Sequence, residues 1–162
     1  MKTHVLLALV GLATGFVVPA FTQEKEEANP FPFGAIQAKP EIVQQLEGIN
    51  EKLDEAFNKH DATAVAAFYT ANAILSSPLA VASGRPAIEQ YFTNVFQRFN
   101  PSDRLTKISY VYAFGGDLCA IGGWTVTVNG PQRAGGYLVN VYTPVRDTWK
   151  IRAAVLKFPG GP

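Results

Sequence analysis

The segment His60–Ile88 limits the possible folds more than any other part of the chain, because it holds several helix and strand boundaries in close succession. Asp61 is a good helix N-cap, since its carboxylate can accept from the unpaired N–H groups two or three residues later. Apolar residues then recur on one side of a short helix: Val65, Phe68 and Tyr69. Asn72 ends this helix, and Ala73–Leu75 is a brief apolar strand. We therefore expect a short helix followed directly by a strand.

A second helix begins soon after that strand. The Ser-Ser-Pro sequence at 76–78 breaks the strand, and Gly84 supplies a turn. Pro86 is tolerated in the first turn of a helix, because its missing N–H would be unpaired there in any case. A broad apolar stripe runs along the helix predicted over Pro86–Phe99: Ile88, Tyr91, Phe92, Val95, Phe96 and Phe99. Such a stripe indicates the side of a helix that faces the core.

One long helix precedes this segment, and strands follow it. Pro40 opens the helix, which ends near Lys59 and whose apolar residues recur at helical spacing: Ile42, Leu46, Ile49, Leu53 and Phe57. After residue 101 the apolar period changes to two, and four strands are predicted: Leu105–Phe114, Leu118–Val128, Gly135–Thr143 and Trp149–Leu156. Their short connections indicate an antiparallel meander. Glycine pairs at 122–123 and 135–136 indicate bends in two neighbouring strands.

Two motifs within this order of elements are typical of one family. The sequence Y-x-x-N-A at 69–73, followed by G-R-x-x-I at 84–88, resembles the SnoaL-like branch of the nuclear transport factor two superfamily. The similarity covers roughly residues 40–156. It implies an α+β, cone-shaped fold of three N-terminal helices packed on a strongly curved, mostly antiparallel sheet, with a pocket at its open end. The superfamily includes ketosteroid isomerase and polyketide cyclases.

The first residues have the pattern of an export signal. Lys2 precedes the continuous apolar run Val5–Val18, and Ala20 is a small residue at a suitable cleavage position. The run is shorter than the ~20 residues that a membrane span needs, so a retained anchor is the lesser alternative. We expect a signal peptide over 1–20, a linker over 21–38, the domain over 39–158 and a short tail over 159–162. The mature protein is then secreted or periplasmic, without a membrane anchor.

The composition excludes several classes of function. The 14 basic and 13 acidic residues give no electrostatic footprint for nucleic acid. Cys119 is the single cysteine, so no internal disulfide is possible, and its apolar neighbours indicate a buried structural thiol. Loss of the signal peptide would leave His60 as the sole histidine, and no cluster has the spacing of a zinc site. We expect neither a metal nor a cofactor.

Comparison with ketosteroid isomerase argues against steroid isomerisation by this chain, because the residues at the matching catalytic positions differ. The position of the carboxylate base of that enzyme corresponds to Ser77, whose hydroxyl cannot accept a proton near neutral pH as a carboxylate can. The position of its tyrosine donor falls near Leu53. The other candidate groups have simpler structural roles: His60 at a helix junction, Asp61 as a cap and Arg85 bonded to loop carbonyls. The catalytic residues stay unknown at this level.

Strand residues with an apolar body and a polar tip are the candidate ligand contacts, because small-molecule sites are apolar pockets with a few placed polar groups. They are Tyr69, Tyr110, Tyr112, Trp124, Asn140 and Tyr142. A two- or four-residue turn within 144–147 would place Asn140 on the face of Trp149 and Ile151, and a three-residue turn would reverse it.

Two functions follow from these residues. The first is a homodimeric domain that binds a small apolar or aromatic molecule, with isomerase, dehydratase or cyclase chemistry of a cofactor-free kind if it catalyses a reaction. The second is a non-catalytic association module, since both sides of Tyr137–Tyr142 are apolar and a sheet covered by helices on one face can pair with a partner through the other.

Overall fold

A computed structural model describes residues 36–159 of the 162-residue chain. The signal peptide predicted over 1–20, most of the linker predicted over 21–38 and nearly all of the tail lie outside the described residues. The described residues contain three helices: α1 (Pro40–Asn58), α2 (Ala62–Ala66) and α3 (Arg85–Phe99). Seven strands accompany them: β1 (Ile36–Gln37), β2 (Tyr69–Ser76), β3 (Val81–Ser83), β4 (Ser102–Phe114), β5 (Asp117–Val128), β6 (Gln132–Val145) and β7 (Thr148–Lys157).

The strands form one sheet in the order β1-β4-β5-β6-β7-β2-β3. All neighbouring pairs are antiparallel except β2 and β7, which are parallel. The sequence of β4 to β7 is the predicted meander, because each short connection returns the chain beside the strand that it has just left. The α+β, cone-shaped fold with three helices on a mostly antiparallel sheet is thereby confirmed.

The helices cover one face of the sheet and bury its inward side chains. Leu46, Leu53 and Phe57 of α1 are buried, as the helical spacing predicts, and α1 packs against β4. Helix α3 contributes Ile88, Phe92 and Phe96 to the same core and packs against α2, β2 and β3. No helix within residues 36–159 is long and apolar enough to cross a membrane.

The second helix is shorter than predicted, and the strand after it is longer. Asp61 caps α2 by accepting from the backbone N–H of Ala64 at 2.8 Å, as expected. The helix nevertheless ends at Ala66, and Tyr69 and Asn72 lie in β2. The parallel pairing of β2 with β7 supplies backbone hydrogen bonds that local propensity cannot anticipate.

Two short strands lie where the sequence predicts none. Strand β3 pairs with β2 across the turn at 77–80, in a stretch that the sequence pattern assigns to a loop. Strand β1 lies inside the predicted linker and pairs with the far end of β4, so that Ile36 stands opposite Ala113 and Gln37 opposite Tyr112. Strand β3 and the described part of β1 are too short for a recognisable period of two.

The glycine pairs lie where strands approach each other closely. A Cβ at Gly136 would overlap the carbonyl oxygen of Lys157 on β7, and one at Gly135 would lie 2.8 Å from the carbonyl oxygen of Trp124. A Cβ at Gly122 would overlap the carbonyl oxygen of Lys107 on β4. The predicted bends of β5 and β6 therefore coincide with positions at which only glycine fits.

A β-bulge in β4 changes which residues face the helices. Ile108 stands opposite Gly122 and Tyr110 stands opposite Ile121, so Ser109 is an extra residue on β4. Before the bulge even-numbered residues face the helices, and after it odd-numbered residues such as Val111 do. The bulge lies beside Gly122, which has no side chain to obstruct it.

The two kinds of glycine in this chain should respond in opposite ways to alanine. We expect Gly136→Ala to lower the free energy of unfolding by about 2 kcal/mol or more, because the new methyl group overlaps backbone. Gly48→Ala, inside α1 with open space around its Cα, should raise it by about 0.5–1 kcal/mol. Urea unfolding followed by circular dichroism measures both, and equal effects would contradict the close approach at Gly136.

Candidate functional site

A cavity of about 230 Å³ lies between α3 and the strands β5, β6 and β7. Its wall is almost wholly apolar. The lining residues are Phe57, Leu79, Tyr91, Phe92, Val95, Phe99, Pro101, Trp124, Val126, Val128, Ala134, Leu156 and Phe158, together with the polar Ser77 and Arg104. Such a combination of apolar surface and few polar groups is typical of a small-molecule site.

Arg104 brings a charged group to this apolar wall. Its side chain is only 9% exposed, and its guanidinium carbon lies 4.8 Å from the ring centre of Phe57 and 5.9 Å from that of Trp124. Arginine is well suited to such a place, because its delocalised cation stacks on aromatic faces and is weakly hydrated. The apolar rings thus hold the cation in place without satisfying all of its N–H groups.

Asp54 of α1 is the ionic partner of Arg104. Its Oδ1 accepts from Arg104 Nε at 2.8 Å and from the Thr106 hydroxyl at 2.9 Å, and its Oδ2 accepts from the Thr106 backbone N–H at 2.6 Å. The carboxylate is buried, with 8% of its side chain exposed. Its bonds to the pair of β4 residues compensate for the loss of water. Asp54 is therefore occupied by protein donors.

Asn58, one turn further along α1, fixes the backbone of Arg104. Its Oδ1 accepts from the Arg104 N–H at 2.7 Å, and its Nδ2 donates to the Arg104 carbonyl oxygen at 3.2 Å. His60 adds a nearby contact between its Nε2 and the carbonyl oxygen of Pro101 at 2.6 Å. Arg104 is held by both its main chain and its side chain, so the guanidinium has a defined position in the wall.

Trp124 supplies a second donor to the wall. Its indole lies edge-to-face with the ring of Phe158 at 5.3 Å, and the residue is 7% exposed. The indole Nε1 is buried without a hydrogen-bond partner among the described residues. An unpaired buried N–H group is unfavourable and rare in native proteins. A ligand with an acceptor atom would remove this penalty.

Tyr91 and Ser77 complete the polar part of the cavity wall. Burial raises the pKa of Tyr91, and the neighbouring Ser77 hydroxyl opposes that rise. The phenol is therefore neutral near pH 7 and able to donate a hydrogen bond. The Ser77 hydroxyl donates to the carbonyl oxygen of Ala80 at 3.1 Å and accepts from two backbone N–H groups of the same turn.

Only Trp124 of the six predicted ligand contacts lines the cavity. Tyr110 and Tyr112 lie on the sheet face opposite the helices, where their rings stack at 6.4 Å. The bulge at Ser109 is the physical reason, because it inverts the alternation that would otherwise have turned both tyrosines inward. Both tyrosines were expected to contact a ligand in the pocket, but they lie on the other face of the sheet from the cavity.

The other three predicted contacts form part of the core beneath α1. Tyr142 donates from its hydroxyl to Asn50 Oδ1 at 2.9 Å, and Asn140 Nδ2 donates to the same hydroxyl oxygen at 3.3 Å. The turn at 146–147 has two residues, so Asn140 shares the face of Ile151, as predicted for that turn. Tyr69 is buried in the same core. Asn140 and Tyr142 are thus hydrogen-bonded within the protein, and none of the three predicted contacts lines the cavity.

The residues to which the sequence analysis assigned structural roles make contacts within the protein. Arg85 donates from Nε and Nη2 to the Tyr69 carbonyl oxygen, at 3.2 and 2.8 Å. His60 stacks on Phe96 with ring centres 4.9 Å apart. Cys119, predicted to be a buried thiol, is only half-buried, and this partial burial raises the pKa of its thiol. Within residues 36–159 no group of three or more histidine, cysteine or acidic side chains could hold a metal ion.

Comparison of the sequence with models of known protein families identifies the family of this chain. A model described as the SnoaL-like domain matches residues 50–154, well over half of the chain. The chain belongs to the SnoaL-like family. A search of curated proteins by sequence gave no match.

Solved structures share the fold of this SnoaL-like domain at low sequence identity. Aln2 from a Streptomyces species is 19% identical with a TM-score of 0.67, over 76% of this chain and 94% of that chain. A ketosteroid isomerase-like protein from Erwinia carotovora atroseptica is 18% identical with a TM-score of 0.63, over 76% and 100%. ActVI-ORFA from Streptomyces coelicolor is 15% identical with a TM-score of 0.64, over 74% and 99%. Identities at this level show a common fold.

Sequence reasoning missed Asp54 and Arg104, the charged pair of this SnoaL-like domain. Two signals were present. Asp54 falls on the buried side of α1, four residues after Asn50 and three before Phe57. Arg104 begins the alternating series of inward residues that continues with Thr106. A charged residue at a position that the period assigns to the core indicates a buried pair.

Buried tyrosines should make the domain sensitive to alkaline pH. Desolvation raises the pKa of Tyr69 and of Tyr142 above the ordinary value of 10.0. Above pH 10 the unfolded chain loses these protons while the folded chain retains them, so the unfolded state binds fewer protons and stability falls as pH rises. Each tyrosine should contribute a loss of about 1.4 kcal/mol per pH unit between its unfolded and folded pKa values.

Tyr69→Phe isolates one of these contributions. We expect the pH dependence of the unfolding free energy above pH 10 to become shallower by one proton, as measured by urea unfolding at a series of pH values. Tyr137→Phe removes a phenol that is 65% exposed and should keep the wild-type dependence. Identical pH profiles for wild type and Tyr69→Phe would contradict this account.

Proposed function

We propose that this chain is an exported SnoaL-like domain that binds a small apolar or aromatic molecule in the cavity beneath α3. The proposal rests on the cavity and on two hydrogen-bond donors in its wall, the Arg104 guanidinium and the Trp124 indole N–H. An apolar void lined by these two groups is incomplete as a protein core, because only the Nε of the Arg104 guanidinium has an acceptor and the Trp124 Nε1 has none among the described residues. A bound molecule with an apolar body and an acceptor atom supplies what is missing.

The size of the cavity limits the ligand. An engineered apolar cavity of ~150 Å³ stays dry and takes up benzene. The cavity here, at about 230 Å³, is larger and fits one substituted ring or two fused rings. The aromatic rings of Phe92, Phe99 and Trp124 in the lining favour an aromatic or otherwise planar body.

The wall favours binding over proton abstraction. Its polar groups among the described residues are the guanidinium of Arg104, the indole N–H of Trp124 and the hydroxyls of Tyr91 and Ser77. None of these is a proton acceptor of the strength that general-base catalysis needs near neutral pH. Isomerase, dehydratase or cyclase chemistry would have to use hydroxyls as donors, and stays the lesser alternative.

Export is the second part of the proposal, and it is supported by the apolar run Val5–Val18. The full chain would be expressed in a bacterium, recovered from the periplasm and analysed by native mass spectrometry. The expected result is a chain shortened by about 20 residues, as a signal peptide of ordinary length implies, that carries a co-purified small molecule. A full-length, ligand-free chain that also binds no added naphthalene would refute both parts.

Filling the cavity should abolish binding. Val95 of α3 is half-buried and lines the cavity, so Val95→Phe places a larger side chain in the space of the ligand. Val145→Phe is the matched control, because Val145 is 37% exposed at the end of β6. We expect naphthalene affinity, measured by its fluorescence, to fall by at least about tenfold in Val95→Phe only, which corresponds to ~1.4 kcal/mol. Equal affinities would place the ligand elsewhere.

One observation favours a second function, homodimerisation through the sheet face opposite the helices. Cross-strand partners lie on the same face of a sheet. Tyr110, Ile121, Val139 and Val155 are successive partners across β4 to β7 and form one apolar row on that face. Cys119, Val141, Ala153 and Ile74 form a partly exposed row beside it. A contiguous apolar surface of this kind marks an interaction site.

A charge at the β7 end of the first row should separate the protomers. Val155 is 49% exposed, so Val155→Glu is tolerated by the fold and places a carboxylate in the proposed interface. Ala87→Glu adds the same charge to the exposed surface of α3. Size-exclusion chromatography with light scattering should give a dimer for wild type and Ala87→Glu and a monomer for Val155→Glu. A monomeric wild type would exclude the dimer.

A further inference from the structure

The hydrogen bonds of Arg104 leave most of its donors unused. Its Nε donates to Asp54 Oδ1 at 2.8 Å, and its Nη1 and Nη2 have no acceptor among the described residues. Arginine carries five side-chain N–H groups, so four of them lack an acceptor among the described residues, in a side chain that is 9% exposed and lines both the apolar cavity and the groove beside α1 that holds Glu47 and Glu51. The buried Nε1 of Trp124, on the same wall, also lacks an acceptor within residues 36–159.

Asp54 limits the charge that these donors present. The carboxylate contacts Arg104 directly and neutralises the cation, so the pair presents a dipole and not a net charge to the cavity. An anionic ligand would lose its hydration in the apolar cavity without meeting an uncompensated positive charge. An uncharged oxygen, in contrast, can accept from the Nη groups at a small desolvation cost.

We propose that the Asp54–Arg104 pair makes the cavity selective for ligands with an uncharged oxygen acceptor, against both hydrocarbons and carboxylates of the same shape. Arg104 is then the specificity-determining residue of the site, and Asp54 determines which charge the site accepts. This inference rests on the proposed function, because it concerns the same cavity.

Three probes that share one ring system test the selectivity of the wild-type protein: 2-ethylnaphthalene, 2-acetylnaphthalene and 2-naphthoate. The first has no acceptor, the second an uncharged carbonyl and the third a carboxylate that is ionised at neutral pH. Titrations at about pH 7.5 followed by naphthalene fluorescence give the three dissociation constants. We expect the ketone to bind at least about tenfold more tightly than either of the others.

Removal of the Asp54 carboxylate should weaken the preference for the ketone over naphthoate. Asp54→Asn leaves the cation of Arg104 without its counter-charge, so the ratio of naphthoate to ketone affinity should rise by at least about tenfold. Glu55→Gln removes the same charge from the neighbouring residue of α1, whose side chain is exposed, and should leave the ratio unchanged. Circular dichroism establishes whether each variant is folded. If Asp54→Asn is unfolded, the three dissociation constants of the wild-type protein test the selectivity by themselves.

The outcomes separate this inference from the proposed function. Equal binding of the ketone and the hydrocarbon would overturn the role of Arg104 while leaving the cavity a binding site. Tightest binding of naphthoate by wild type would overturn the role of Asp54. An unchanged affinity ratio in folded Asp54→Asn would do the same. Failure of all three probes to bind would overturn the proposed function and the inference with it.

Discussion

The ion pair between Asp54 and Arg104 is the contact on which the functional part of this structure depends. It joins the middle of α1 to the first residues of β4, and the next turn of α1 holds the main chain of Arg104 through Asn58. A buried pair is costly to desolvate and destabilising to break, so each partner requires the other. The aromatic rings of Phe57 and Trp124 exclude water from the pair and at the same time form the wall of the cavity. The stability of this region and the proposed recognition of a ligand therefore depend on one cluster.

Irregularities in the strands give the two faces of the sheet different surfaces. The bulge at Ser109 turns the later tyrosines of β4 outward, and the glycines of β5 and β6 allow neighbouring backbones to approach. The helix-covered face thus has a core and a cavity, whereas the opposite face has two continuous apolar rows. Binding of a small molecule and association with a second chain would use opposite faces of the sheet, so the two proposed functions are compatible with each other.

Local signals in the sequence predicted most of the fold. The cap at Asp61, the first-turn Pro86 and the short strand connections depend on neighbouring residues, and their predictions are confirmed. The site was harder to predict because its parts come from distant positions: Asp54 and Arg104 are 50 residues apart. A single extra residue, Ser109, reversed the inward faces of β4, and no local pattern announces it. Periodicity predicts which residues alternate but not where the alternation changes.

The edges of the sheet bear on how this protein behaves at high concentration. In the part of the chain that the structure describes, the terminal strands β1 and β3 have two and three residues, so neither presents a long row of free N–H and C=O groups there. Beyond β1, the outer edge of β4 carries the bulge at Ser109 and the exposed Lys107, both of which hinder the addition of another strand. Within residues 36–159, these features are of the kind that hinder edge-to-edge pairing of sheets.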